Sequence, residues 1–138
     1  MEALGRHLLL ELYDCNPEAL NDVDGITNTM TQAALASGAT ILKIEFHKFA
    51  PIGVSGMIII AESHLSIHTW PEYRYAACDV FTCGDRIDPY LAVDYLVSQL
   101  DAKSSSITEM KRGIIRDQKY HPLKHKQDIK QEVITGVC

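Results

Sequence analysis

The chain has 138 residues, 46% of them hydrophobic, which suits a single domain over residues 1–138 with a core of its own. Its formal net charge of -5 and isoelectric point of about 5.6 argue against nucleic-acid binding, which normally requires a basic face. No apolar run approaches the roughly 18 residues of a membrane span. The N-terminal residues lack a basic segment followed by an apolar core, so we expect a cytoplasmic protein without nucleic-acid or membrane partners.

Hydrophobic periodicity predicts the order strand, helix, four strands, helix, strand. The predicted strands are residues 4–14, 40–50, 54–61, 64–69, 75–82 and 105–113, and the predicted helices are residues 24–37 and 88–101. Gly38 suits the C-terminal cap of the first helix, and Asp88 followed by Pro89 suits the start of the second. The polar residues beyond Arg116 are expected to form a tail.

Two helices are too few for a doubly wound parallel sheet, so we expect an α+β fold, a two-layer sandwich with both helices on one face of an antiparallel sheet. The helix residues expected to face the sheet are Ile26, Met30, Ala33, Ala34 and Ser37 in the first helix, and Leu91, Tyr95, Leu96 and Leu100 in the second. The opposite sheet face would be bare. Packing it against the same face of a second subunit would give a four-layer αββα homodimer.

Hydroxyl and imidazole side chains are concentrated in residues 61–72. On a strand, His64, Ser66 and His68 would share one face, and spacing alone favours an ordinary solvated surface. A metal site is disfavoured, because residues four apart on a strand are separated by about 13 Å. A serine hydrolase is disfavoured because the G-x-S-x-G elbow is missing.

The stretch ESHLSIHTWPEYRYAACDVFTCG at residues 62–84 closely resembles the signature of the prokaryotic S-adenosylmethionine decarboxylases. The opening LGRHLLLELYDC and the segment at residues 43–55 are also similar to that family, so the resemblance covers most of residues 4–114. It implies a pyruvoyl-dependent enzyme that is made as an inactive proenzyme. Its product would be decarboxylated S-adenosylmethionine, the aminopropyl donor for spermidine and other polyamines.

The resemblance further implies self-cleavage between Glu62 and Ser63, giving a β chain of residues 1–62 and an α chain of residues 63–138. Ser63 would become the pyruvoyl group that forms a Schiff base with the substrate. A serine at a strained turn between strands suits this chemistry, because strain lowers the cost of distorting the peptide bond. No metal is implied.

By the same resemblance, His68 is the processing base, Ser55 is a second processing residue and Cys83 is the proton donor of decarboxylation. Imidazole and thiol groups suit these roles near neutral pH. Without the resemblance, Ser55 would be interpreted as a strand serine beside a turn. Cys83 would be interpreted as a small buried apolar residue.

For substrate binding, the resemblance implies that Phe49 stacks on adenine, with His68 on the other side of the ring. Glu72 would hold the ribose hydroxyls, and Leu65 would contribute backbone contacts. Two alternatives stay open. One is a pyruvoyl-dependent decarboxylase of another amino acid, such as arginine; the other is a non-enzymatic dimeric binding module of the same fold.

Overall fold

A computed structural model describes residues 3–115 of the chain. The strands are β1 (Ala3–Tyr13), β2 (Ile41–Lys48), β3 (Val54–Ile60), β4 (Ser63–Trp70), β5 (Tyr75–Cys83) and β6 (Ser104–Ile114). The helices are α1 (Pro17–Leu20), α2 (Val23–Ala36) and α3 (Pro89–Gln99), and a 3-10 turn spans Pro71–Tyr73. The six predicted strands and two predicted helices are therefore confirmed, with small shifts at their ends. The tail predicted beyond Arg116 lies outside the described residues.

The six strands form one sheet in the order β2-β3-β4-β5-β1-β6, and every neighbouring pair is antiparallel. The strands from β2 to β5 follow one another as hairpins. Strand β1 then pairs with β5 on one side and with β6 on the other, so the N-terminal strand lies inside the sheet next to the edge strand β6. The predicted α+β fold with an antiparallel sheet is confirmed.

Helices α2 and α3 cover one face of the sheet, and the core lies between them and that face. The expected inner residues of α2 are all buried. In α3, Leu96 and Leu100 are buried as expected, but the prediction for Leu91 was wrong, since that side chain is 48% exposed. Each helical residue turns by about 100°, so a face centred on Ala92, Val93 and Leu96 leaves Leu91 pointing outward.

The short helix α1 was not predicted. Its first turn is capped by Asn16, whose side-chain oxygen accepts hydrogen bonds from the backbone N–H groups of Glu18 and Ala19 at 2.9 and 3.2 Å. Pro17 at the first helical position completes this arrangement. The sequence did not predict this helix because four residues are too few for a periodic pattern.

The sheet face away from α2 and α3 is called the open face here. It presents apolar side chains, among them Leu9, Met57 and Ile59, which are each about two-fifths exposed. It also presents polar side chains, among them Ser66 and His68. Within residues 3–115, no helix has the length and apolar character needed to cross a membrane.

Candidate active site

The turn between β3 and β4 contains Ala61 and Glu62, and Ser63 follows as the first residue of β4. Ser63 has a backbone φ of 130°, in a region that glycine tolerates and L side chains rarely adopt. Such backbone conformations cost on the order of 1–3 kcal/mol and persist only where the surroundings enforce them. Pairing with β3 and β5 on both sides holds Ser63 in place. The strained serine expected from the sequence is therefore present.

The carbonyl group that precedes Ser63 is held by a backbone donor from the neighbouring strand. The N–H of Cys83 donates a hydrogen bond of 2.7 Å to the carbonyl oxygen of Glu62. A donor in this position polarises the carbonyl and would stabilise negative charge on its oxygen. Glu62, Ser63 and Cys83 therefore form one cluster, called the cleavage end, where β4 begins and β5 ends.

A second cluster lies toward the other end of β4 and is called the imidazole end; it consists of Phe49, Ser55 and His68. Ser55 on β3 lies directly opposite His68 on β4. The hydroxyl of Ser55 donates a 3.4 Å hydrogen bond to the carbonyl of Ile67. The His68 ring lies between two aromatic rings, with centroid distances of 5.4 Å to Phe49 and 4.2 Å to Trp70.

The imidazole end borders a groove of about 590 Å³ on the open face. Its walls combine aromatic, aliphatic and polar side chains from β2, β3, β4 and β5. The lining residues are Glu45, Phe46, His47, Phe49, Ser55, Gly56, Met57, Ser66, Ile67, His68, Ala77 and Asp79. The groove is large enough for a small molecule, and its lining includes neither Ser63 nor Cys83.

The two ends are too far apart to form one site within a single chain. Ser63 and His68 are five residues apart on one extended strand, which separates their Cα atoms by about 16 Å. Ser55 pairs with His68 and is therefore similarly distant from Ser63. The resemblance assigns these residues to one process, whereas the extended strand keeps them apart within a single chain.

The remaining predicted substrate-binding residues occupy different surroundings. The Leu65 side chain is completely buried among the core residues, so only its backbone is placed to contact a ligand. Glu72 is exposed on the 3-10 turn that follows β4, and it therefore lies beyond the imidazole end. The rings of Phe49 and His68 are inclined at 43° and contact one another. A purine between them needs a separation of about 7 Å, so a sandwich requires these rings to move apart.

A polar network on the open face was missed by sequence analysis. Arg112 Nη1 lies 3.0 Å from His7 Nδ1, and His7 Nε2 lies 2.9 Å from an oxygen of Asp79. Ser66 donates to the other oxygen of Asp79 at 2.9 Å. Burial lowers the pKa of His64; electrostatic interactions with His7 and Arg112 add to this shift, and the charge of Asp79 opposes it. Strand alternation places these residues on one face, but the pairing of β1 with β5 and β6 is not visible in a local pattern.

Thr40 was also missed, although it contacts both residues of the turn before Ser63. Its N–H faces the carboxylate of Glu62, at 3.2 Å from Oε2 and 3.4 Å from Oε1. Its carbonyl accepts a 2.9 Å hydrogen bond from the N–H of Ala61. The Glu62 side chain is 2% exposed, and Arg86 Nη2 lies 3.9 Å from its Oε1.

This chain is similar to known proteins of one family. The model of a family described as S-adenosylmethionine decarboxylase matches residues 6–113. The S-adenosylmethionine decarboxylase proenzyme of Thermodesulfovibrio yellowstonii is 55% identical over 115 residues, which cover 83% of this chain and 85% of that protein. The proenzyme of the same name from Caldanaerobacter subterraneus subsp. tengcongensis is 54% identical over 114 residues, or 83% and 92% of the two chains.

A solved structure is also similar. The crystal structure of the adenosylmethionine decarboxylase from Aquifex aeolicus superimposes with a TM-score of 0.79 at 35% sequence identity. The match covers 85% of this chain and 97% of that chain.

The strain at Ser63 predicts an inverted order of stability for two substitutions. At an ordinary strand position, a protein with alanine has a free energy of unfolding about 0.5–1 kcal/mol higher than one with glycine. At position 63 we expect Ser63→Gly to be more stable than Ser63→Ala by about 1 kcal/mol, because glycine adopts a φ of 130° without strain. Urea unfolding of both variants measures the difference. Ser66→Gly and Ser66→Ala in the middle of β4 are the control pair; an identical order at both positions would contradict the strain.

Proposed function

The chain belongs to the S-adenosylmethionine decarboxylase family, and on that premise we propose that it is a self-processing enzyme that releases CO2 from S-adenosylmethionine. The product would serve as aminopropyl donor in the biosynthesis of spermidine and other polyamines. The observation that carries the proposal is the geometry of the cleavage end. A serine with a strained backbone follows a carbonyl that accepts a 2.7 Å hydrogen bond from the N–H of Cys83.

Self-cleavage would begin with an acyl shift at the Glu62–Ser63 peptide bond. The Oγ of Ser63 attacks the carbonyl carbon of Glu62, forming a C–O bond, and the C–N bond then breaks. The proton of the hydroxyl passes through a base to the freed nitrogen. The N–H of Cys83 stabilises the oxyanion of the tetrahedral intermediate. Strain at Ser63 favours this step, because breaking the peptide bond releases the constrained backbone.

The ester is then eliminated. A base removes the α-proton of Ser63, the electron pair forms a Cα–Cβ double bond, and the Cβ–Oγ bond breaks to leave the Glu62 carboxylate. Water replaces the nitrogen of the resulting dehydroalanine, and ammonia is released. The products are a β chain of residues 1–62 and an α chain of residues 63–138 with a pyruvoyl group at position 63. His68 is the proposed processing base, and Ser55 orients it or binds the oxyanion.

The residues of the cleavage end fit a pyruvoyl group, because its precursor serine and a polarised carbonyl are adjacent there. Once formed, this group supplies the electron sink that decarboxylation needs. Cys83 is disulfide-bonded in this structure, and after reduction its thiol would hold the proton that replaces the departing carboxylate on the substrate. A thiol is mostly protonated near neutral pH and still acidic enough to donate. This requirement for a reduced thiol also supports a cytoplasmic location.

The separation of about 16 Å along β4 indicates that the proposed site is shared between subunits. We propose a homodimer in which two open faces pack together about a two-fold axis, giving four layers. In an antiparallel arrangement, the cleavage end of one chain faces the imidazole end of its partner. Ser55 and His68 of the partner subunit would then act on Ser63. The exposed apolar side chains of the open face supply area for this contact.

The groove at the imidazole end is the proposed place for the nucleoside part of the substrate. The face of Phe49 is available to a purine and to a sulfonium cation nearby. His68 would flank the purine after the rings separate, and the carboxylate of Glu72 would accept hydrogen bonds from the ribose hydroxyls. The backbone of Leu65 contributes contacts in the same proposal. No metal is required.

Freshly translated protein should convert from one chain of about 15.4 kDa into two fragments divided after Glu62. The acyl shift transfers the serine oxygen to the new carboxylate, so synthesis in H2(18)O should leave the C-terminus of the β chain unlabelled. Intact-mass and peptide mass spectrometry measure both features. Label in that carboxylate would indicate simple hydrolysis and contradict the mechanism. A chain that stays intact would favour the binding module.

The assay of CO2 release separates the substrates. Release from S-adenosylmethionine and none from arginine or other free amino acids is the expected result. Release from arginine alone would identify the other decarboxylase.

A shared site predicts complementation between two inactive variants. Ser63→Ala and His68→Ala should each remain uncut when expressed alone. Co-expression should restore cleavage of the His68→Ala chain only, because its Ser63 meets His68 of the partner subunit. Distinct affinity tags on the two chains show which one is cut. An uncut mixture of confirmed heterodimers would place His68 and Ser63 in independent roles and contradict the shared site.

Cys83→Ala should separate processing from decarboxylation. The backbone N–H at position 83 remains, so its hydrogen bond to Glu62 persists and self-cleavage should proceed at a rate within about threefold of wild type. CO2 release, assayed with a reductant present, should fall by about a hundredfold or more, because the thiol proton is lost. An unchanged rate of CO2 release would remove the Cys83 side chain from the mechanism.

A further inference from the structure

We propose that the buried side-chain carboxylate of Glu62 is a positioning residue for self-cleavage, which holds the scissile turn against Thr40 so that the strain at Ser63 cannot relax. The inference deepens the proposed self-cleavage and rests on it. It assigns a task to the side chain of Glu62, whereas the cleavage itself involves only the backbone carbonyl of that residue.

The side chain of Glu62 is unusually buried for a residue in a two-residue turn. Glu62 is 2% exposed, although a carboxylate at a hairpin turn ordinarily points into solvent. Moving a charge out of water is unfavourable unless hydrogen bonds or opposite charges compensate. Here the N–H of Thr40 faces both carboxylate oxygens, and Arg86 lies 3.9 Å from one of them. An apolar side chain would avoid this desolvation, so the carboxylate is not needed simply to fill space.

The contacts immobilise the scissile peptide from two directions. On one side, Thr40 accepts from the N–H of Ala61 at 2.9 Å and donates to the carboxylate of Glu62. On the other side, the N–H of Cys83 holds the carbonyl oxygen of Glu62 at 2.7 Å. Thr40 directly precedes β2, and Cys83 ends β5, so both anchors belong to the sheet framework. The turn therefore cannot rotate to relieve the φ of 130° at Ser63.

The same contact would serve both covalent stages. During the acyl shift, the C–N bond of the Glu62–Ser63 peptide breaks as the C–Oγ bond forms, and the carbonyl carbon must stay beside Oγ. During elimination, the Cβ–Oγ bond breaks and the α-carboxylate of Glu62 leaves. In both stages the side chain of Glu62 would remain bound to Thr40, which keeps the main-chain carboxyl group of Glu62 in place beside Ser63.

Two substitutions separate the hydrogen bond from the volume of the side chain. Glu62→Gln retains a carbonyl oxygen that accepts from the N–H of Thr40, whereas Glu62→Met has a similar length and no acceptor. The control is Asp22→Ala, which removes a carboxylate that accepts from a backbone N–H at 3.1 Å at the start of α2, away from the scissile turn. Cell-free translation followed by a chase gives the first-order cleavage rate of each chain.

We expect Glu62→Met to slow cleavage by about tenfold or more, while Glu62→Gln stays within about threefold of wild type. Hydroxylamine cuts esters, so it traps the product of the acyl shift. Glu62→Met should yield proportionally less hydroxylamine-cleaved chain, which locates its defect in that step. Melting temperatures are measured on the same variants combined with Ser63→Ala, so that all of the chains compared are uncut.

Three results would overturn the inference. The first is a Glu62→Met rate equal to wild type. The second is a cleavage rate that Asp22→Ala lowers as strongly as Glu62→Met does, when both variants lose the same melting temperature. That result would indicate a general effect of stability. The third is a cleavage rate of Glu62→Gln as low as that of Glu62→Met. A wild-type chain that never cleaves would instead reject the proposed function itself.

Discussion

The pairing of β4 with β5 is the constraint on which the proposed chemistry depends. Its register places Ser63 opposite Thr82, and the next residue, Cys83, directs its N–H to the carbonyl of Glu62. One backbone hydrogen bond thus joins the residue that precedes the proposed cleavage site to the residue proposed as proton donor. A register shift of one residue would turn the side chains of β4 to the opposite face and separate these groups. The sheet, rather than a flexible loop, therefore sets the geometry.

The length of β4 separates the two side chains that the proposed chemistry requires to be close together. Ser63 begins the strand, and His68 lies about 16 Å along it, opposite Ser55. The sheet described over residues 3–115 does not bring His68 to the serine of the same chain. In the proposed dimer, two copies of the sheet packed face to face and antiparallel would bring the two side chains together without further residues. Because β4 keeps these side chains apart within each chain, its geometry supports the proposed homodimer.

Local sequence patterns predicted the strands and the two long helices, and the features that these patterns missed depend on long-range contacts. Alternation located all six strands, and caps such as Asp88 located helix α3. The error at Leu91 arose because several apolar residues of α3 could define its inner face, and only packing decides between them. The resemblance assigned Ser63 and His68 to one process, but it did not indicate that an extended strand separates them within the chain. Thr40 carried no sequence signal, because its importance depends on how the segment after α2 meets a turn twenty residues later.

The polar side chains of the open face form hydrogen bonds with one another, so this face is suited to burial. Arginine only donates hydrogen bonds, so its contact with Nδ1 of His7 leaves Nε2–H to donate to Asp79, which also accepts from Ser66. Each of these groups has a partner within its own chain, which reduces the cost of desolvating them in a dimer.

The protonation of His64 also suits this face to burial. Burial and neighbouring positive charge lower its pKa, so the folded state favours the neutral ring. Its contribution to stability is present above pH 6.5, the pKa of an ordinary histidine, and is lost as the pH falls below that value, because the unfolded chain binds the proton more readily. A face that combines apolar area with satisfied polar groups and a neutral imidazole is suited to contact with a second copy of itself.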